Sequence, residues 1–353
     1  MTPPKSSSRR RNGAAATLHE VAKLAGVHPM TVSRALKGSD TVAEATRENI
    51  LRAAKELNYT PNLAARALVM GRTETIAVVT GPVSEHYYAQ LLYLLEGELT
   101  ASNYKMLFLR SRDTNHDLYS FVNANSVDGV IAIDAFFNIH DLVKSQKAFT
   151  TPCVYAGVPD PSWLDSIDTI HMDLSVGVRE AVETMLDSGC RRVAYLASNE
   201  GMGTASEVRP LVYDTTIRAA GLQPEVINAD IGSNTSAHER VRSRLVEYIQ
   251  KHGHPDGLLC QNDEMAMGAY RALCDLKLRI PEDVQLVGCD GLAYMECFNP
   301  ALSTIAQPAE QMCALAWKFL QQRMNDPHAP RQHVTLTAQL RGRPSLKAFN
   351  DLV

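Results

Sequence analysis

The 353 residues are 45% hydrophobic and 21% charged, enough for a full core, and no apolar run is long enough to cross a membrane. The net charge of −4 is unevenly spread: residues 1–72 carry twelve Lys and Arg against five Asp and Glu, while residues 73–353 carry 23 against 34. A basic head on an acidic body suits neutralisation of phosphates by one module and predicts salt-sensitive nucleic-acid binding. In chain order, residues 1–16, MTPPKSSSRRRNGAAA, have charge but no apolar centre, so they read as a disordered basic arm and not as a secretory signal. Residues 17–61 then form a compact helical pattern. Apolar Leu18, Val21, Ala22 and Ala25 lie at helical spacing behind Thr17-Leu18-His19-Glu20, a capping box in which Thr17 and Glu20 satisfy each other's backbone donors. Gly26 ends that helix, Pro29 opens a second, and a third follows over residues 44–57 with Ile50, Leu51, Ala54 and Leu57 on one face.

Helix, tight turn, helix is the arrangement that lays a second helix in the major groove of DNA, where Pro29, Met30, Ser33 and Arg34 would face the bases while Val32 and Leu36 pack inward. The run Leu18-x-x-Val21-Ala22-x-x-Ala25-Gly26-Val27 followed by Thr31-Val32-Ser33-Arg34 resembles the headpiece of the lactose-repressor (LacI/GalR) family of bacterial transcription regulators, and the likeness is dense through Leu68. It implies a DNA-contacting set of Thr17, Leu18, Pro29, Met30, Thr31, Ser33, Arg34, Lys37 and Thr46, with Arg34 suited to a guanine and Met30 to a thymine methyl. Residues 62–71 resemble the family's hinge helix. A segment this short is marginal as an isolated helix, so it is expected to order on DNA, with Asn62 and Ala65 at the duplex and Leu68 as a wedge in the minor groove. Two residues depart from the family pattern: His28 stands for a serine, which weakens the cap of the second helix, and Ala43 for another, which removes a phosphate contact.

From residue 72 strands alternate with helices. Strands are predicted at 75–79, 106–109, 127–133, 153–156, 169–172, 192–196, 225–228, 257–259, 284–289, 303–306 and near 333–340. Helices are predicted at 87–102, 117–124, 177–187, 209–220, 235–251, 264–276 and 309–324. This is too many strands for one sheet, and the alternation argues doubly wound parallel sheets. The resemblance implies two α/β subdomains of the periplasmic-binding-protein type. One comprises about 74–174 and 304–333, the other about 175–303 and 334–353, with crossings near Leu174, Ser303 and Val334.

In open α/β sheets ligands lie beyond the carboxyl ends of strands, which singles out Asp173, Asn262, Asp263 and Asp290. Carboxylates and amides at such positions suit a ligand rich in hydroxyls, although Asp173 and Asp263, each just before a helix, read better as caps. The family pattern adds three kinds of contact: Arg209 as a fork for ligand acceptors, Gln307 at a crossing, and one of Tyr87 and Tyr88 as a stacking surface. Asp214, Thr235 and Gly291 depart from the pattern in ways that bear on which effector is bound. A carbohydrate or its derivative is the expected effector, with a purine or nucleoside as the alternative.

No constellation supports catalysis: His86, His116, His140 and His171 stand singly, and there is no phosphate loop or nucleophile elbow. The cysteines at 153, 190, 260, 274, 289, 297 and 313 are odd in number and never at metal-ligand spacing, as expected of reduced, mostly buried residues in a cytoplasmic protein. Neither cofactor nor metal is expected. No heptad tail follows Arg343, so the expected assembly is a homodimer on a palindromic double-stranded operator, with no membrane association. A transporter-associated sugar-binding protein is the rival reading, and the basic headpiece argues against it.

Overall fold

The computed structural model describes residues 16–36, 40–60, 72–110, 127–135, 139, 151–158, 163–198, 207–230 and 237–350. The chain divides into two compact units, Met1–Thr73 and Glu74–Val353. Residues 1–15 of the expected arm, the hinge segment and the 117–124 helix lie outside the described residues.

In the first unit, α1 (Leu18–Ala25) begins with the capping box: the Thr17 N–H donates to Glu20 Oε2 at 2.8 Å and the Glu20 N–H to Thr17 Oγ1 at 3.3 Å. Gly26 closes it at φ +68°, a conformation that glycine adopts without penalty. α2 (Pro29–Leu36) and α3 (Glu44–Glu56) complete a bundle whose core is Val21, Ala22, Ala25, Val32, Ala35, Val42, Ile50, Ala53 and Ala54. Two α3 side chains satisfy carbonyls at the ends of the other helices: Asn49 Nδ2 donates to the Ala25 carbonyl at 2.9 Å and Arg47 Nη1 to the Ala35 carbonyl at 3.2 Å. Leu51, expected inside, is 49% exposed. Counting from fully buried Ile50, the stripe runs through 53, 54 and 57, and Leu51 lies about 100° off it. His28 also departs from expectation, because its Nδ1 accepts the Met30 N–H at 3.2 Å and so supplies the cap that serine was expected to provide. Ala43 precedes α3 with no side-chain cap.

The second unit holds two six-stranded sheets. In the first, β1 (Thr75–Thr80), β2 (Lys105–Arg110), β3 (Gly129–Ile133), β4 (Cys153–Gly157), β5 (Asp168–Asp173) and β11 (His333–Thr337) are ordered β11-β5-β4-β3-β1-β2, all parallel. In the second, β6 (Val193–Ala197), β7 (Glu225–Asn228), β8 (Gly257–Cys260), β9 (Gln285–Asp290), β10 (Ser303–Ala306) and β12 (Gln339–Arg341) are ordered β12-β10-β9-β8-β6-β7, with only β12 antiparallel. The central strands β3, β4, β6, β8 and β9 are buried throughout, which explains their unbroken apolar runs. The helices are α4 (His86–Ala101), α5 (Ser175–Asp187), α6 (Val208–Ala219), α7 (Ala237–His252), α8 (Asp263–Asp275) and α9 (Ala309–Asn325).

The chain passes between the sheets three times. The first passage, between β5 and α5, is where it was expected. The second lies at Gln307 and Pro308 and not at Ser303, because all of β10 pairs in parallel with β9 before α9 returns to pack on β3, β4 and β5. The third lies at buried Ala338 and not at Val334, because the single expected terminal strand is two: β11 pairs with β5 and β12 with β10. α9 is fixed to its sheet by a buried ion pair in which Arg323 Nε and Nη2 donate to Asp168 Oδ2 and Oδ1 at 2.9 and 2.8 Å. Of the cysteines, 153, 190, 260, 289 and 313 are buried, while 274 and 297 are exposed.

Candidate functional site

Strand order reverses beside β1 in the first sheet and beside β6 in the second, so the connections leaving β1 and β3, and those leaving β6 and β8, diverge and leave crevices at the carboxyl ends. One cavity of about 410 Å³ occupies both crevices. From the first lobe it receives Tyr87 and Tyr88 at the start of α4 and Asp134 just after β3; from the second it receives Arg209, Asn262 and Asp290. Gln307, on the second passage, completes it.

A continuous hydrogen-bonded path joins the lobes here. The Tyr87 hydroxyl donates to Gln307 Oε1 at 2.9 Å, and Gln307 Nε2 donates to Asp290 Oδ1 at 3.1 Å. Asp290 has φ +135°, in the region that side-chain-bearing residues rarely adopt, a strain of about 1–3 kcal/mol that surrounding structure must impose. Buried Asp263 helps to impose it, accepting from the Gly291 N–H at 3.1 Å, the Leu292 N–H at 2.8 Å and Thr304 Oγ1 at 2.7 Å. Burial pushes the Asp263 carboxyl up to about 6 although these donors draw it down. Asp290 is pushed well above the carboxylate range, first by burial and then by the charge of Asp263.

Arg209 is held inside its own lobe. Its Nε donates to Glu207 Oε1 at 2.7 Å, Nη2 to Glu207 Oε2, and Nη1 to the Gln261 carbonyl. Glu207 also caps α6, accepting the Arg209 N–H at 3.1 Å. Asn262 caps α8 through the Met265 N–H at 2.9 Å, which leaves its amide nitrogen for the cavity. Asp263, expected as that cap, is instead the first helical residue, turned towards the β9 loop.

At the cleft rim, His86 Nδ1 makes a close contact with Glu264 Oε1 on α8, and its ring meets Tyr294 edge-on at 5.2 Å. His238 Nδ1 lies 4.0 Å from the other oxygen of Glu264. Read as solitary in the sequence, His86 is thus a link between lobes, made by residues 178 positions apart. Among the described residues no cluster of His, Cys, Asp or Glu could hold a metal, and no helix is long and apolar enough to cross a membrane.

Residues 17–62 match the model of bacterial regulatory proteins of the lacI family, and residues 182–346 match a periplasmic-binding-protein-like domain. The HTH-type transcriptional regulator CelR of Thermobifida fusca is 31% identical over 303 residues, 84% of this chain and 88% of that protein. The chain belongs to the LacI family. It is a DNA-binding transcriptional regulator of that family. A solved CelR–cellobiose complex is 27% identical and superposes with a TM-score of 0.66, covering 94% of this chain and 99% of that one. The Lac repressor dimer bound to operator and the anti-inducer ONPF, at 24% identity, shares the fold with a TM-score of 0.77 and the same coverage.

Within this LacI-family chain, six of the seven residues expected at the effector site line one cavity: Tyr87, Tyr88, Arg209, Asn262, Asp290 and Gln307. Both tyrosines reach it, where one was expected; their rings meet edge-on at 5.3 Å. Asp173 does not line the cavity. It accepts the Ser175 N–H at 2.9 Å, capping α5 as the sequence favoured, while its neighbours Met172 and Leu174 line the cavity. Burial raises its pKa, but the Ser175 hydroxyl and N–H outweigh that and hold it below the usual range. Glu85, Asp134, Tyr155, Glu207 and Gln261 were not anticipated, though all line the cavity. On the LacI-type headpiece, Met30 is 56% exposed and Arg34 is exposed, while Pro29, Thr31, Ser33 and Thr46 are half-buried. Thr17 is exposed and Leu18 half-buried at the start of α1. Lys37, Asn62, Ala65, Leu68 and Thr235 lie outside the described residues.

Proposed function

We propose that this LacI-family regulator is a cytoplasmic homodimeric repressor, without catalytic activity, whose grip on a palindromic operator is set by a small saccharide held between its two core lobes. The observation that carries this reading is the Tyr87–Gln307–Asp290 path, which ties a residue of each lobe to the passage between them around a polar cavity. A ligand there touches both lobes at once, so it has different contacts in open and closed forms and can bias the equilibrium between them. The likeness to CelR, solved with cellobiose, and to the sucrose operon repressor of Pediococcus pentosaceus, 28% identical over 313 residues, supports a saccharide. In the headpiece, Arg34 reads a guanine and Met30 a thymine methyl. Thr17, Leu18, Pro29, Thr31, Ser33, Lys37 and Thr46 fix register on the backbone, and the hinge residues Asn62, Ala65 and Leu68 act in the minor groove. The test is selection of duplexes from a random pool at moderate salt, followed by anisotropy titration of the winning site with cellobiose, sucrose and lactose. Enrichment of a palindrome whose affinity one of these sugars changes supports the reading. No enrichment over random duplex overturns it.

A further inference from the structure

The charge of the cleft says more about its ligand than its shape does. Among the described residues, four acidic side chains line the cavity against a single guanidinium, Arg209: Glu85, Asp134, Glu207 and Asp290, the last with its carboxyl pushed well above the usual range. That guanidinium is already committed. Its Nε and Nη2 hold both oxygens of Glu207, and Nη1 holds the Gln261 carbonyl and lies 3.9 Å from Cys289 Sγ, so the described contacts take four of its five N–H groups. Of the amides, Gln307 gives a hydrogen to Asp290, and Asn262 keeps its nitrogen for the cavity as a neutral donor. The described wall therefore offers acceptors and neutral amide donors but no uncommitted cation. A ligand with several hydroxyl or amine hydrogens complements it, whereas a phosphate or carboxylate would meet like charge from Glu85 and Asp134.

We propose that the effector is a saccharide without any anionic group, and that Glu207, by occupying Arg209, and Asp134 are the residues that exclude phosphorylated and acidic sugars. Glu207 lies two residues before Arg209 and caps the same helix, so the pairing is built into α6 and does not depend on closure of the lobes. Asp134 adds a second acceptor at the opposite wall, just after β3. In a reaction sequence, the molecule sensed is one delivered by hydrolysis or by transport without phosphorylation, and a kinase acting on it would destroy the signal.

This inference rests on the saccharide reading above. The test is isothermal titration of the full-length protein with glucose, trehalose and sucrose, each beside its 6-phosphate, and with cellobiose, lactose, glucosamine and gluconate. The expected result is binding of at least one uncharged or amine-bearing sugar, with the phosphate ester of any sugar that binds weaker by about tenfold or more. Glu207→Gln, which removes a charge and loosens Arg209, should narrow that ratio by about tenfold, and Asp134→Asn should narrow it independently should the first variant fold poorly. A phosphate ester or gluconate binding as tightly as the uncharged sugars overturns this inference and leaves the saccharide reading standing. Preference for uncharged sugars that neither variant alters overturns the assignment to Glu207 and Asp134. Binding of nothing in the panel overturns the saccharide reading and this inference with it.

Discussion

Desolvation by the cleft walls pushes the Asp134 carboxyl up to about 6 although the residue is exposed to the cavity, with Arg209 drawing it down and Glu207 pushing it further up. Below that pH the group is protonated and offers a hydrogen; above it, both oxygens accept. A ligand rich in hydroxyls favours the ionised form, so its affinity should rise from pH 5 to pH 7 and level off beyond, and Asp134→Asn should flatten the profile in titration calorimetry. Asp134 was within reach of sequence reasoning, because it follows β3 directly and the carboxyl-end rule that selected Asn262 and Asp290 applies to it equally. The same rule also selected Asp173, which shows its weakness: it names a position without its direction, and although Met172 and Leu174 on either side line the cavity, Asp173 turns to the start of α5. Glu207 gave no such signal. Its importance lies in a pairing with Arg209 two residues away, and an Asp or Glu before a helix reads as an ordinary cap.

Helices and strands were legible to within a residue or two wherever apolar runs had clear ends, as at β7, predicted and found over Glu225–Asn228. The terminal strand was not, because HVTLTAQLR is one unbroken extended pattern and nothing in it marks Ala338. Where it breaks is decided by which sheet edges are open, β5 on one side and β10 on the other. Helix packing was equally illegible at Gly268 on α8, where a Cβ would lie 2.5 Å from the His238 carbonyl oxygen of α7. Gly268→Ala must therefore spread the two helices, lowering stability by about 1–3 kcal/mol in a denaturant melt. The His86–Glu264 contact tests the link between α4 and α8. With the His86 side chain 58% exposed, such a pair is worth under about 1 kcal/mol, so His86→Ala should weaken effector binding two- to fivefold, roughly, without changing the melting profile much.

For the whole chain, the headpiece excess of positive charge predicts that operator affinity falls linearly on a log–log plot against salt, with a slope near −0.9 for each phosphate neutralised. Leu68→Ala should weaken the selected site while sparing random duplex, which a gel-shift series on both would show; equal losses on both would disprove the wedge. Two-lobed architecture was legible from the strand count, since so many could not share one sheet, but the mutual dependence of the lobes was not. The first lobe needs β11 and α9, which come after nearly all of the second, and the second is finished only by β12 and by buried Arg343 and Ser345. During translation, then, neither half of the core can complete its sheet until close to the last of its residues has left the ribosome. From the end of β5 at Asp173 until β11 begins at His333, the nascent regulator carries an open sheet edge at β5 that is exposed to mispairing, and neither lobe can be cut out as one contiguous fragment that folds alone.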